Sequence, residues 1–183
     1  LEIDDSILVD QLKNIDLNEI HNRGTFISNS RNVLNDIEYG EKLKNKFNEA
    51  INKTLNELSF NTCFKIYTSW LTLTKPGING HSHYHSNYWW SGCYYPSYNN
   101  EKVSIIFNRP NKLIIDPNKK HLNCFNRRRV ELKIETNTLI LFPSYIEHQI
   151  GYNDSDKNRI SLAFNINPVG KVGKFDSEYV YGP

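Results

Sequence analysis

The chain has 183 residues, 38% of them hydrophobic and 13% aromatic, which is the size of one domain and enough to bury a core without disulfide or metal staples. Twenty-two Lys and Arg against 20 Asp and Glu leave a net charge of +2, too weak a field to argue for nucleic acid or a membrane surface as a partner. No apolar run approaches the roughly 20 residues that span a bilayer, and the N-terminus shows no signal-peptide pattern.

In chain order, Ser6 to Leu12 reads either as a short strand or as the first turn of a helix. Residues 17–35 are rich in Asn, Ser, Gly and Asp and read as loop or short irregular helix. Residues 36–60 differ. Leu43, Phe47, Ile51, Leu55 and Leu58 recur at spacings of four and three, with Lys42, Lys44, Lys46, Glu49 and Lys53 on the other faces, the period of an amphipathic helix laid on a sheet. From residue 62 the pattern turns β-branched and aromatic. Strands are expected at 62–74, 91–95, 102–107, 130–134, 139–142, 147–150 and 159–166, separated by turn residues such as Lys75-Pro76-Gly77 and Asn108-Arg109-Pro110.

A helix followed by about seven or eight strands predicts a mainly β fold, a sandwich or jelly roll with the N-terminal helix packed on the outer sheet. The expected organisation is one domain: helical or irregular support over 1–61, a β core over 62–168, and a tail or edge strand over 169–183. Cys63, Cys93 and Cys124 are odd in number and far apart, without a C-x-x-C, so neither a disulfide framework nor a zinc knot is indicated and a cytoplasmic, reducing setting is expected. The basic run Arg127-Arg128-Arg129 is either a solvated loop or a substrate-docking patch. The chain begins at Leu1 and contains no Met, which leaves room for a start residue or leader ahead of it.

Three of the six histidines, His81, His83 and His85, fall at every second position. Side chains alternate across an extended strand, so all three can share a face. Neutral imidazole is a common ligand for iron, zinc, copper and nickel. The competing reading is a polar strand end with scattered histidines. A second segment tips the balance: Phe142 to Ile150 puts His148 at the start of a strand after a Pro-containing turn, and Arg159 and Ser161 follow on one face of the next strand. A metal with a nearby buried guanidinium and hydroxyl suits a small keto-diacid, its keto-acid end on the metal and its far carboxylate in the guanidinium fork.

Three motifs in order, His83-Tyr84-His85-Ser86-Asn87-Tyr88-Trp89-Trp90-Ser91-Gly92-Cys93-Tyr94-Tyr95, Leu139 to His148, and Arg159-Ile160-Ser161-Leu162-Ala163-Phe164-Asn165, resemble those of the 2-oxoglutarate/Fe(II)-dependent oxygenases. The similarity is greatest to members common in marine bacteria and their phages. It covers residues 62–168, Ser69-Trp70 included, and carries little of 1–60. It implies a double-stranded β-helix (jelly roll) binding Fe(II) and 2-oxoglutarate. It further implies His83, His85 and His148 as iron ligands, with Arg159, Ser161 and the hydroxyl of Tyr95 on the distal carboxylate of 2-oxoglutarate. Tyr94, on the opposite strand face, is then core. Tyr88, Trp89 and Trp90 form either a substrate-recognising wall or a plug at one end of the barrel.

One departure matters. Most of the superfamily supplies H-x-D or H-x-E, whereas here position 85 is His, and taking His81 first gives His83; neither Asp154 nor Asp156 is nominated as a substitute. Three neutral ligands should bind ferrous ion more weakly and raise its reduction potential. The expected reaction couples O2 and 2-oxoglutarate decarboxylation to C–H oxidation, by default hydroxylation, of a small molecule or of a peptide or protein side chain such as proline. The alternatives are a cupin-like three-histidine dioxygenase without 2-oxoglutarate, and a non-enzymatic jelly-roll binding or structural module. Substrate identity and oligomeric state are not set by the sequence.

Overall fold

In the computed structural model of the chain, which describes residues 3, 5–20, 23–96, 103–110, 115, 117–123 and 125–182, the N-terminal ambiguity resolves as helix. The first helix, α1 (Asp5–Lys13), buries Leu8, Val9 and Leu12 along one side, the i, i+4 arrangement a strand cannot present. Residues 17–35 are not loop. They form a hairpin of β1 (Leu17–Ile20) and β2 (Thr25–Ser28), paired from Leu17–Ser28 to Ile20–Thr25, and then a short helix α2 (Val33–Asp36). Sequence reading misses this hairpin because its ladder is made of backbone groups at a sheet edge, where half-exposed polar side chains suffice. The long helix α3 (Gly40–Glu57) buries Leu43, Phe47, Ile51 and Leu55. Leu58, expected on the same stripe, is instead the C-cap and 50% exposed.

The remaining strands are β3 (Cys63–Thr74), β4 (Trp90–Tyr95), β5 (Val103–Asn108), β6 (Arg129–Ile134), β7 (Thr138–Pro143), β8 (His148–Ile150), β9 (Arg159–Val172) and β10 (Tyr179–Tyr181). They build two antiparallel sheets. The larger runs β1-β2-β3-β9-β4-β7, with β10 added on β9, and the smaller runs β6-β5-β8. The C-terminal stretch is thus an edge strand on an extended β9.

Alternation along β9 sorts its residues between two cores. Even positions Ile160, Leu162, Phe164 and Ile166 join Leu71 and Tyr94 against the α3 stripe, with Phe164 stacked on Phe47 at 5.0 Å. Odd positions face the smaller sheet, where Cys93, Tyr95 and Phe142 meet Val103, Ile105 and Ile134. The mainly β jelly roll with helix on its outer sheet is therefore the observed fold. The glycine of Ser91-Gly92 has a packing cause: a Cβ there would lie 2.2 Å from the Phe164 ring, so the ring can cross the sheet only over a bare backbone.

Of the aromatic run after the histidines, Trp89 and Trp90 pack against the helical side, while Tyr88 and Trp89 line a surface cavity with Phe60 and Tyr181. Trp90 is on the helix-facing side of β4, and Trp89 meets Phe60 edge-on at 5.2 Å; both pack against the helical core. Neither forms part of the imidazole cluster described next.

Candidate metal centre and co-substrate pocket

Cross-strand register aligns the interior side chains in rungs. Thr74 faces Arg159, Thr72 faces Ser161, Trp70 faces Ala163 and Thr68 faces Asn165 across β3 and β9. On the other edge of β9, Cys93 opposes Ala163 and Ser91 opposes Asn165. The same alternation that hides Tyr94 on the helix side turns Cys93 and Tyr95 inward.

Above these rungs the segment after β3 passes beside β8. His83 and His148 form an antiparallel bridge, the His83 N–H donating to the His148 carbonyl at 2.9 Å and the His148 N–H to that of His83 at 2.8 Å. The His85 N–H donates to the Ser144 carbonyl at 2.9 Å. Main-chain bonds thereby bring the imidazoles of His83, His85 and His148 together, with one potential ligand atom from each within 4.8 Å of the others. His81 does not join them, although its ring lies 4.9 Å from that of His83. No carboxylate among the described residues joins either. Glu147, adjacent to His148, instead accepts a bond from the Ser82 hydroxyl at 2.8 Å.

The rings are prepared for coordination. Nδ1 of His83 lies 3.1 Å from the His81 carbonyl, and Nδ1 of His148 lies 2.9 Å from the Ile146 carbonyl. A carbonyl only accepts, so each Nδ1 carries the proton and each Nε2 keeps a lone pair for a metal. Burial, then the neighbouring His83 and His148, pushes His85 down to about 3. Burial also dominates at His148, which is held at about 4 despite the opposing hydrogen bond to Ile146. Both rings are neutral at pH 7. Phe142 at 4.5 Å and Trp70 beside His85 at 5.2 Å supply an apolar surround. Such a donor set fits a divalent transition ion, and imidazole is an established ligand for iron.

Past Ile150, the Gly151 carbonyl accepts a 2.6 Å bond from Nη2 of Arg159. It lies three residue steps along the chain from His148, about 10 Å at the rise of a β-strand. Arg159 is 4% exposed. Its other bond, at 3.5 Å, is to the Tyr152 carbonyl, its Nε has no partner, and among the described residues no carboxylate pairs with it. Burial lowers its pKa, while Tyr95, Cys93 and Asp154 oppose the shift. The fully buried hydroxyl of Tyr95 likewise lacks a well-aligned partner, and burial raises its pKa well above the ordinary value. A buried guanidinium with an unpartnered Nε and no carboxylate in contact, beside a buried phenol whose polar neighbour is the Cys93 thiol, fits an anionic ligand. Ser161 and Cys93 lie alongside.

Sequence reasoning missed Trp70 as the neighbour of His85, Cys93 as the neighbour of Arg159, Tyr95 and Ser161, and the polar row that ends at Ser144. Cys63 is exposed and Cys93 buried; Cys124 lies outside the described residues. The Arg127-Arg128-Arg129 run is exposed. No helix among the described residues is long and apolar enough to cross a membrane.

A two-sheet jelly roll holding an all-imidazole cluster, with a buried guanidinium beyond it, defines a class of non-haem metalloprotein. A family model described as "Putative 2OG-Fe(II) oxygenase" matches residues 68–165, and the chain belongs to that family, enzymes whose cofactors are Fe(II) and 2-oxoglutarate. Among solved structures it is similar to a 2OG-Fe(II) oxygenase family oxidoreductase from Burkholderia pseudomallei, at 10% identity over 87% of this chain and 75% of that one with a TM-score of 0.60. It is also similar to the non-heme alpha ketoglutarate dependent epimerase SnoN from nogalamycin biosynthesis, at 11% identity over 87% and 69% with a TM-score of 0.59. HygX from Streptomyces hygroscopicus, solved with nickel and 2-oxoglutarate bound, matches at 10% identity over 88% and 76% with a TM-score of 0.57. At these identities the likeness is one of fold. Comparison with curated proteins returned no match.

Proposed function

We propose that the chain hydroxylates an unactivated C–H bond of a small molecule or an exposed side chain, with His83, His85 and His148 holding Fe(II) and with Arg159, Ser161 and Tyr95 holding the distal carboxylate of 2-oxoglutarate. The observation that carries the reading is the pairing of two features across one short strand: three imidazoles within 4.8 Å of one another and, beyond the other end of β8, a buried Arg159 whose hydrogen bonds among the described residues go to main-chain carbonyls. When bound, Fe(II) with 2-oxoglutarate supplies the oxidising chemistry that spends O2 and releases succinate and CO2.

The chain's own residues do the rest. Arg159 and the Tyr95 hydroxyl offer three or so directed donors to one carboxylate end, which fixes the length and orientation of the co-substrate. Main-chain bonds at His83, His85 and His148 hold the ligand rings before any ion arrives, so little ordering remains to oppose binding. Trp70 beside His85, and Phe107 and Phe142 beside His148, give the cluster an apolar flank. All three protein positions would be filled by imidazoles, so none would be given up to a halide, which favours hydroxylation over halogenation. SnoN is an alpha ketoglutarate dependent epimerase, so the fold also carries other outcomes, and product mass decides among them.

The test is anaerobic addition of Fe(II) and then 2-oxoglutarate to metal-free protein. The expected result is a weak visible charge-transfer band that appears only with both and is lost in H148A. Folded wild-type protein with a blank spectrum would overturn the reading.

A further inference from the structure

We propose that Ser144 is a positioning residue for the metal centre, held by a polar row, Thr68–Asn165–Ser91–Ser144, that runs from β3 through β9 and β4 to the turn after β7. The inference rests on the reading of His83, His85 and His148 as the ligands. The row spans four strands or turns. Nδ2 of Asn165 donates to the Thr68 hydroxyl at 3.1 Å, and the Ser91 hydroxyl donates to Oδ1 of Asn165 at 2.7 Å. The Ser91 and Ser144 hydroxyl oxygens are 2.8 Å apart. Ser91 has a single hydroxyl proton and spends it on Asn165, so Ser144 must donate to Ser91. Ser91, Ser144 and Asn165 are all buried, where a half-satisfied network would be worse than an apolar one.

What lifts the row above interior filling is where it ends. The Ser144 carbonyl accepts the His85 N–H at 2.9 Å, and the Ser144 N–H donates to the Trp89 carbonyl at 3.0 Å. Two residues on, the Ile146 N–H closes the turn on the Pro143 carbonyl at 3.0 Å, and the Ile146 carbonyl fixes Nδ1 of His148. One turn, residues 143–147, therefore sets both the backbone under His85 and the tautomer and aim of His148. The Ser144 hydroxyl is the side-chain peg that fastens this turn to β4 and, through Asn165, to β9 and β3. With the peg removed, two of the three ligands lose their common reference.

The test uses cobalt(II) as probe, titrated into metal-free protein and followed by its visible d–d absorption, for wild type, S144A, S91A and the double variant. The melting temperature of each metal-free protein is recorded alongside. The expected result is a cobalt affinity about 10- to 100-fold weaker in S144A, a comparable loss in S91A, and no further loss in the double variant, since both remove one shared contact. The cobalt spectrum of the variants should also shift, because the His148 ring is less firmly aimed. A row that only fills the interior would lower the melting temperature and leave affinity and spectrum unchanged. Affinities within about twofold of wild type would overturn the proposal. If S144A does not fold, S91A, which leaves the 143–147 backbone intact, decides the matter alone. Wild-type protein that takes up no cobalt overturns the ligand reading and this inference together, whereas wild-type uptake matched by the variants removes the positioning role alone.

Discussion

In the proposed function Arg159 is the residue that selects the anion. Its guanidinium already spends two nitrogens on the Gly151 and Tyr152 carbonyls, so its backbone contacts orient the remaining donors. Lysine cannot reproduce a planar fork. R159K should therefore weaken 2-oxoglutarate by the worth of one or two hydrogen bonds to a charged group, about 1.5–3 kcal/mol, or roughly ten- to a hundredfold in affinity. Melting curves at rising 2-oxoglutarate concentration measure this. A cupin-like dioxygenase would show no 2-oxoglutarate-dependent shift in either protein. Tyr95 gives a prediction of opposite signs in the two states. Its buried hydroxyl lacks a well-aligned partner, so Y95F should not lower the melting temperature of the metal-free protein, while the protection conferred by 2-oxoglutarate should shrink. A drop in the free protein with unchanged protection would show that the hydroxyl serves the fold and not the ligand.

Elements carry the stability on which the site rests, and they separate what was legible in the sequence from what was not. F47A deletes a ring stacked on Phe164 and tilted against Tyr94, and should cost about 3–5 kcal/mol. L58A, at an exposed helix end, should stay within about 0.5 kcal/mol; denaturant titration of both tests the contrast. G92A forces a Cβ into the Phe164 ring and should cost about 1–3 kcal/mol by overpacking, recovered in part by F164L, which clears the space. The α3 stripe was readable because a helix writes its buried face at fixed local spacing. Leu58 misled because the same spacing runs one residue past the helix end. The histidine cluster and Tyr95 were reached through the family resemblance; alternation alone would have grouped His81 with His83 and His85, and the structure leaves His81 out of the cluster. The polar row was not: Ser91 meets Ser144 across 53 positions and Asn165 meets Thr68 across 97, and nothing local marks a Ser or Asn as interior. The β1–β2 hairpin escaped for the related reason that its cohesion lies in backbone pairing to β3.

At the scale of the whole molecule the two cores are unequal, and the metal centre stands on the weaker one. The helix-facing core holds Leu43, Phe47, Ile51, Leu55, Leu71, Leu162, Phe164 and Ile166, all nearly or fully buried. The inter-sheet core is smaller, and β6 on its far side is largely exposed, with only Ile134 buried. The sheet β6-β5-β8 should therefore open below the free energy of global unfolding. That opening separates His148 on β8 from His85, which is anchored to Ser144 after β7, so it must release the ion. Cobalt(II) at about a hundred times its dissociation constant should then suppress the opening by about 2.7 kcal/mol, slowing hydrogen exchange at Ile105, Phe107 and Gln149 roughly a hundredfold. Amides of β10, an exposed edge strand paired only with β9, fray without disturbing the imidazoles and should keep their rate. Equal slowing in β10 and β5 would mean that cobalt stabilises the protein through some contact other than this centre. Unchanged exchange in β5 and β8 would mean that the smaller sheet opens with the cluster intact, and the dependence of the site on that sheet would be refuted.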